Sequence, residues 1–370
     1  MVDIVPPRPR KGRGAVSNPD GRFEPTTRHA VDDGWGQWEG QWEGVKEDHV
    51  PPLRTVVTDE RPKRILSRNT SPDVPFDRSI NPYRGCEHGC VYCFARPTHA
   101  YMGLSPGLDF ESRLFAKPDA PALLAEELRA PGYACAPVTL GANTDPYQPL
   151  ERRRGITRGL LQVLAAHDHP VIVVTKSDLV LRDLDILGPM AARGLVSVGV
   201  SVTTLDPDLA RTMEPRAASP AKRLGAIRAL ALAGVPVTAL VAPVIPFVND
   251  AEVEGVLEAV AAAGARRANY ILLRLPLELK ELVAEWLEAH QPGKAKRVMS
   301  MLRRSRGGQL YVAEWGTRMR GTGTWAELLE KRFALACRRH GLAFGHADGD
   351  GLDCGRFKVP PRPGDQLSLL

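Results

Sequence analysis

Arg84-Gly85-Cys86-Glu87-His88-Gly89-Cys90-Val91-Tyr92-Cys93-Phe94 gathers half of the six cysteines of a 370-residue chain into eight positions. Thiolates spaced C-x3-C-x2-C reach one centre only when the chain between them curls. Gly85 and Gly89 remove side chains where that curl is tight. Such a loop suits a soft metal. A closed structural zinc site usually takes four ligands from two paired motifs, whereas three thiolates suit a four-iron, four-sulfur cluster with one iron left open for chemistry. Two other readings of these residues are a zinc loop completed by His88 or a distant cysteine, and unligated core cysteines.

A chain of this length can bury a substantial core, as one large domain with extensions or as two domains. With 43% hydrophobic and 25% charged residues it has globular composition. The 49 Lys+Arg against 43 Asp+Glu leave +6, which permits a phosphate-rich partner without demanding one. Six cysteines are too few for a disulfide scaffold, so a reducing, cytoplasmic setting is expected. The start, Met1-Val2-Asp3-Ile4-Val5-Pro6-Pro7, lacks a signal peptide's apolar run. No stretch approaches the roughly 18 apolar residues of a membrane span, and no membrane partner is expected.

Residues 1–60 are rich in Pro, Gly and charge and are expected to form a flexible or loosely docked extension. Its Trp35, Trp38 and Trp42 would tend to bury, against the body of the protein in preference to a partner. From 61 to 290 the chain alternates β-branched runs with helical periodicity, the sequence form of a βα repeat with parallel strands. Strands are expected at 79–83, 137–141, 171–175, 196–203, 236–242 and 269–275, with helices at 151–167, 179–193, 250–263 and 278–290. Another helix opens on Ser219 as N-cap and Pro220 at its first position, with Leu224, Ile227 and Leu230 or Ala231 as the sheet-facing stripe.

Six units fall short of the eight that close a barrel, so the expected fold is α/β, a partial (βα)6 barrel whose ligand sits at the C-terminal strand ends. Residues 291–358 form a basic helical region, in which 292–306 carries Lys294, Lys296, Arg297, Arg303, Arg304 and Arg306. That density invites a phosphate backbone, or is a solvated helix face. A last helix, 325–340, would bury Leu329, Phe333 and Cys337, with Cys337 as core packing. A second metal gathered by Cys337, His340, His346 and Cys354 is the alternative.

At Cys86, Cys90, Tyr92 and Cys93 the sequence resembles the radical S-adenosylmethionine (SAM) superfamily, whose signature is C-x3-C-x-aromatic-C. The resemblance implies that Cys86, Cys90 and Cys93 hold a 4Fe-4S cluster whose open iron chelates the amino and carboxylate groups of SAM. An electron from a reductant such as flavodoxin or ferredoxin then splits the C5′–S bond, giving methionine and a 5′-deoxyadenosyl radical that abstracts hydrogen from a substrate.

It also implies that the loop after the second strand, Gly141-Ala142-Asn143-Thr144-Asp145-Pro146-Tyr147-Gln148-Pro149, binds the methionine amino group through Asn143, Thr144 and Asp145. An Asx-type turn is the structural alternative. Tyr92, Lys176, Ser201 and Thr203, at the motif and the strand ends, are implied contacts to SAM, including its carboxylate and ribose hydroxyls. Glu214 and Arg216 are implied to reach it too, or to form a local ion pair.

Over about residues 60–290 the pattern most resembles the spore photoproduct lyase branch and related uncharacterised bacterial proteins. That branch splits a thymine dimer in DNA and returns a hydrogen from a cysteine near the corresponding loop. Here the neighbourhood reads Gly141-Ala142-Asn143, so the superfamily chemistry carries over while the substrate does not. The readings are hydrogen abstraction from DNA in a lyase-like repair, modification of tRNA or protein, or a DNA-associated iron–sulfur or zinc protein without turnover. In residues 359–370 a Pro-rich linker leads to Gln366-Leu367-Ser368-Leu369-Leu370. This tail resembles the bacterial sliding-clamp-binding peptide, with Leu370 in place of the usual Phe, or is a hydrophobic end docked on its own body.

Overall fold

Val171–Thr175 shows why a parallel sheet forms in this computed structural model, which describes residues 8–24, 27, 53–345 and 351–361. The run Val-Ile-Val-Val-Thr is β-branched throughout, and all of it but Val174 is buried, so it needs cover on both faces. Six strands run parallel in chain order: Arg78–Ile80, Val138–Leu140, Val171–Thr175, Val196–Ser201, Val237–Val244 and Arg267–Leu272. Each is hydrogen-bonded to the next. Helices such as Ile156–Ala166, Pro220–Leu232 and Val253–Ala262 carry the chain back between strands.

The outer edges are occupied by Ser67–Arg68, antiparallel to the first strand, and Ala343–Phe344, parallel to the sixth. The first and sixth strands therefore stay apart, which makes the sheet the expected partial barrel, followed by helices Pro292–Arg304 and Thr324–Arg339. All six C-terminal strand ends share one rim. Among the described residues no helix is long and apolar enough to cross a membrane.

Local departures from the expected elements have local causes. The first strand stops at Ile80 because Pro82 follows, and Tyr83–Arg84 joins a separate small sheet against Arg113–Ala116. The helix expected at 151–167 is two, Glu151–Arg154 and Ile156–Ala166, parted at Gly155 with φ of 64°. In Pro220–Leu232 the cap is as read, Ser219 accepting from the Lys222 N–H, but Arg223 is buried while Leu224 is only half-buried. The basic helix ends at Arg304, so Arg306 lies beyond it and is buried at 4% exposure. Cys337 packs in the apolar core as expected.

Within the expected extension, Arg13, Ala15 and Val16 are buried. Those residues are built into the body because Glu111 accepts the N–H groups of Gly14 (3.0 Å) and Ala15 (2.8 Å). Trp35, Trp38 and Trp42, His346 and the tail Gln366–Leu370 lie outside the described residues.

The opposite end of the barrel is covered by the segment after Gly351. Asp353 N–H donates to the Gly194 carbonyl (2.9 Å) and Lys358 N–H to that of His167 (3.0 Å). The Phe357 ring packs on Tyr133 and His169, both at 5.4 Å between centroids. The His169 ring is fully buried, with Nε2 2.8 Å from the Tyr133 hydroxyl. Burial pushes its pKa down from 6.5 to about 4, against a hydrogen bond to the Pro170 carbonyl and with help from the Arg78 charge. Because the folded-state value is depressed, the neutral ring favours the native state fully above about 6.5, and that contribution is lost as the pH falls through about 4. From this ring alone, stability should fall by up to about 1.4 kcal/mol per pH unit in that window. The loss in urea midpoint between about pH 7 and about pH 5 is therefore expected to be smaller in His169→Phe than in wild type, and equal losses would refute the assignment.

Candidate functional site

The cysteine loop is shaped by its glycines and held from behind by charge. Gly85 (φ 74°) and Gly89 (φ 69°) are both left-handed. A Cβ on Gly85 would stand 2.6 Å from the Leu114 side chain and 2.8 Å from the Phe110 carbonyl. The Cys86 N–H donates to that same carbonyl (2.9 Å) and the Val91 N–H to Met213 (3.1 Å). Arg96 donates Nε to the Cys90 carbonyl (2.8 Å) and Nη1 to that of Gly107 (2.8 Å), and its Nη2 pairs with Glu111; both side chains are wholly buried. All three thiols are free, and burial pushes each of them up, Cys90 to about 12. Cys86 is raised further by the neighbouring Asp145, Cys90 and Cys93.

Beside the loop, three of the expected residues meet around the buried carboxylate of a fourth, Glu214. Thr203 donates its hydroxyl to it (2.8 Å), Lys176 Nζ lies 3.3 Å away, and the Tyr92 hydroxyl donates to the same oxygen. Lys176 Nζ is also 3.0 Å from the Tyr92 hydroxyl. The other oxygen of Glu214 takes the buried guanidinium of Arg223, which also donates to the Ser201 carbonyl (3.2 Å). The reading of Glu214 with Arg216 as a local pair does not hold: Glu214 pairs with Arg223 and Lys176, and Arg216 pairs with Glu87 at 3.1 Å.

The loop after the second strand is tied inward. Thr144 donates its hydroxyl to the Tyr83 carbonyl (2.9 Å). Asp145 accepts from the Thr175 hydroxyl (2.7 Å) and the N–H groups of Lys176 and Tyr147 (2.9 Å each), with His88 Nδ1 3.4 Å off. Burial would raise the Asp145 pKa, but the His88 charge and these hydrogen bonds win and hold it at about 2. Asn143 is placed by its N–H on Asn81 Oδ1 (2.9 Å), a bond its own amide side chain does not make.

Sequence reasoning missed Arg96, Glu111, Arg223, Asn81 and Gln148 as parts of this site. Gln148 holds the start of the loop with both ends of its amide, accepting the Glu87 N–H (2.9 Å) and donating to the Gly85 carbonyl (3.2 Å). It stood in the loop already singled out. The others belong to no motif whose spacing marks a site.

The family model for the Radical SAM superfamily matches residues 80–260, from the first strand through the helix after the fifth. A protein of Mycobacterium tuberculosis (strain H37Rv), described as uncharacterized, is 38% identical over 275 residues, which is 74% of this chain and 77% of its own length. This chain belongs to the radical SAM superfamily. An uncharacterized protein of Methanocaldococcus jannaschii is 28% identical over 173 residues, 47% of this chain and 62% of its own. Among solved structures, a spore photoproduct lyase mutant with bound AdoMet and dinucleoside spore photoproduct aligns with a TM-score of 0.56 and 16% identity. It covers 78% of this chain and 81% of that one, a likeness of fold.

As a radical SAM protein the chain uses a 4Fe-4S cluster and SAM. Its residues fit both groups: three thiols in no disulfide lie on one glycine-shaped loop, and polar side chains crowd the strand ends next to them. The loop also leans on the N-terminal segment, since a Cβ on Gly14 would lie 1.8 Å from the Gly89 carbonyl oxygen. Gly14→Ala is therefore expected to cut the iron and sulfide held after anaerobic reconstitution to under about half of wild type. Gly293→Ala, whose Cβ meets nothing within 4 Å, should keep the wild-type content. Full iron in Gly14→Ala would show that the loop does not need this contact.

Proposed function

We propose that this radical SAM enzyme abstracts a hydrogen atom from a nucleic-acid substrate. In this reading Cys86, Cys90 and Cys93 hold the cluster, and when bound, cluster and SAM supply reductive C–S cleavage and the hydrogen-abstracting radical. Lys176 offers the cation for the SAM carboxylate, competing with Glu214 for its Nζ. Asn143 offers an acceptor for the amino group, and Ser201 and Thr203 offer hydroxyls toward the ribose. Glu214 and Tyr92 position Lys176, while Arg216 holds the cysteine loop through Glu87.

The observation that carries the substrate class is the helix Pro292–Arg304. Its Lys296, Arg297, Arg303 and Arg304 are exposed and form no ion pair among the described residues. Cations left without carboxylates suit a phosphate backbone. The spore photoproduct reaction itself is not supported, because the loop has no cysteine to return a hydrogen. A Cβ at Gly141 would meet the Val174 carbonyl at 2.3 Å, and Cys135 precedes its strand, at the far end of the barrel. On this reading the tail Gln366–Leu370 acts as a clamp-binding peptide that brings the enzyme to DNA.

Anaerobically reconstituted, dithionite-reduced protein given SAM should form 5′-deoxyadenosine, and Cys93→Ala should not. Lys176→Met should weaken SAM binding by at least about tenfold, the scale of one charge-assisted hydrogen bond, while the cluster absorbance persists. Product formation should rise with damaged or single-stranded DNA or with tRNA, and not with peptide. No 5′-deoxyadenosine from protein with an intact cluster would sink the enzymatic reading, and indifference to every nucleic acid would sink the substrate class.

A further inference from the structure

Two arginines beyond the sixth strand stand together without a counter-charge. Arg306 is 4% exposed, donates Nη2 to the Leu273 carbonyl, and leaves Nε and Nη1 buried with no hydrogen-bond partner. Arg274 likewise has a buried, unpartnered Nε. Its Nη2 reaches the Tyr311 hydroxyl at 3.3 Å and its Nη1 the Met319 sulfur at 3.4 Å. Its guanidinium lies 5.7 Å from the Phe94 ring centroid and 5.9 Å from that of Tyr311. Burial, and then the Arg274 charge, push the Arg306 pKa down to about 10. Neither arginine has a carboxylate in ion-pair range among the described residues, where buried charge is normally paired.

We propose that Arg274 and Arg306 form a phosphate-binding site that holds the substrate beside the cluster loop. Planar guanidiniums present paired N–H groups that match phosphate oxygens, and the orphaned donors are those such an anion would satisfy. The Arg274 guanidinium lies by Phe94, the residue directly after Cys93, so a phosphate held here sits beside the cysteine loop. The side chain of Phe94 is itself 48% exposed. Exposed Arg303 and Arg304, just before Arg306, continue the positive charge outward. This inference rests on the nucleic-acid reading above and specifies where its phosphate sits.

The test uses the full-length, reconstituted protein with wild type, Arg274→Gln, Arg306→Gln and, as control, Arg228→Gln, an exposed position on the helix Pro220–Leu232. Anisotropy of a labelled single-stranded oligonucleotide is expected to show binding weakened at least about tenfold in the first two and under about threefold in the control. Inorganic phosphate and a mononucleotide serve as competitors. If these occupy the arginine pair and the oligonucleotide does not, the phosphate site stands and its source is a small molecule. If all three probes bind both variants as they bind wild type, the proposal is overturned. Arg306→Gln is checked by its melting transition, and should it fail to fold, half-buried Arg274 decides alone. Nucleic acid that stimulates 5′-deoxyadenosine formation equally in wild type and Arg274→Gln would overturn this site while leaving the proposed function standing. Absence of stimulation in wild type would instead be a failure of that function.

Discussion

The carboxylate of Glu111 and the guanidinium of Arg96 lie against each other with no solvent contact, and the cysteine loop depends on them. Removing two charges from water costs several kcal/mol each unless hydrogen bonds complete their shells. Here the shells are completed by backbone. Arg96 is met by the carbonyls of Gly89, Cys90, Pro106 and Gly107, and Glu111 by the N–H groups of Gly14 and Ala15. The groups that solvate the pair are thus the cysteine loop and the N-terminal segment themselves. Neither can change shape without leaving a buried charge exposed to an apolar interior.

A second buried charge organises the strand ends. Glu214 is held by Arg223 from the helix behind it, and it draws Tyr92, Lys176 and Thr203 from three different stretches of chain to one point. Asp145 performs the corresponding task between the second and third strands, binding the Thr175 hydroxyl and the Lys176 N–H. The two acids divide the work. Asp145 is used up within the fold, whereas Glu214 presents a cation and hydroxyls beside the loop. Arg274 and Arg306, in contrast, are left with donors unmet among the described residues, and that difference separates the structural network from the proposed phosphate site.

Much of this was readable in the chain. Val171–Thr175 was placed to the residue, because a short β-branched run between turn signals has few other readings. Ser219-Pro220 marked its helix start, since cap chemistry is local. Tyr92, Lys176, Thr203 and Glu214 were named and do come together. Thr144 and Asp145 were named as acceptors, yet their side-chain oxygens are occupied inside the fold, which no residue type reveals. Residues 13–16 looked like part of an extension because Pro, Gly and Arg composition predicts solvation. Their burial is decided by Glu111, almost a hundred positions away.

The sequence alone determined the cysteine loop, the number of βα units and the superfamily, because each is encoded by spacing or periodicity within a few residues. The tertiary structure alone decided which charges are paired. Arg96 finds Glu111, Arg223 finds Glu214, and Arg306 finds no carboxylate among the described residues, although all three are arginines in unremarkable local contexts. Pairing depends on which side chains a long-range fold brings within a few ångströms in a low-dielectric interior, and the energy of a charge there is set by those neighbours, not by its place in the chain.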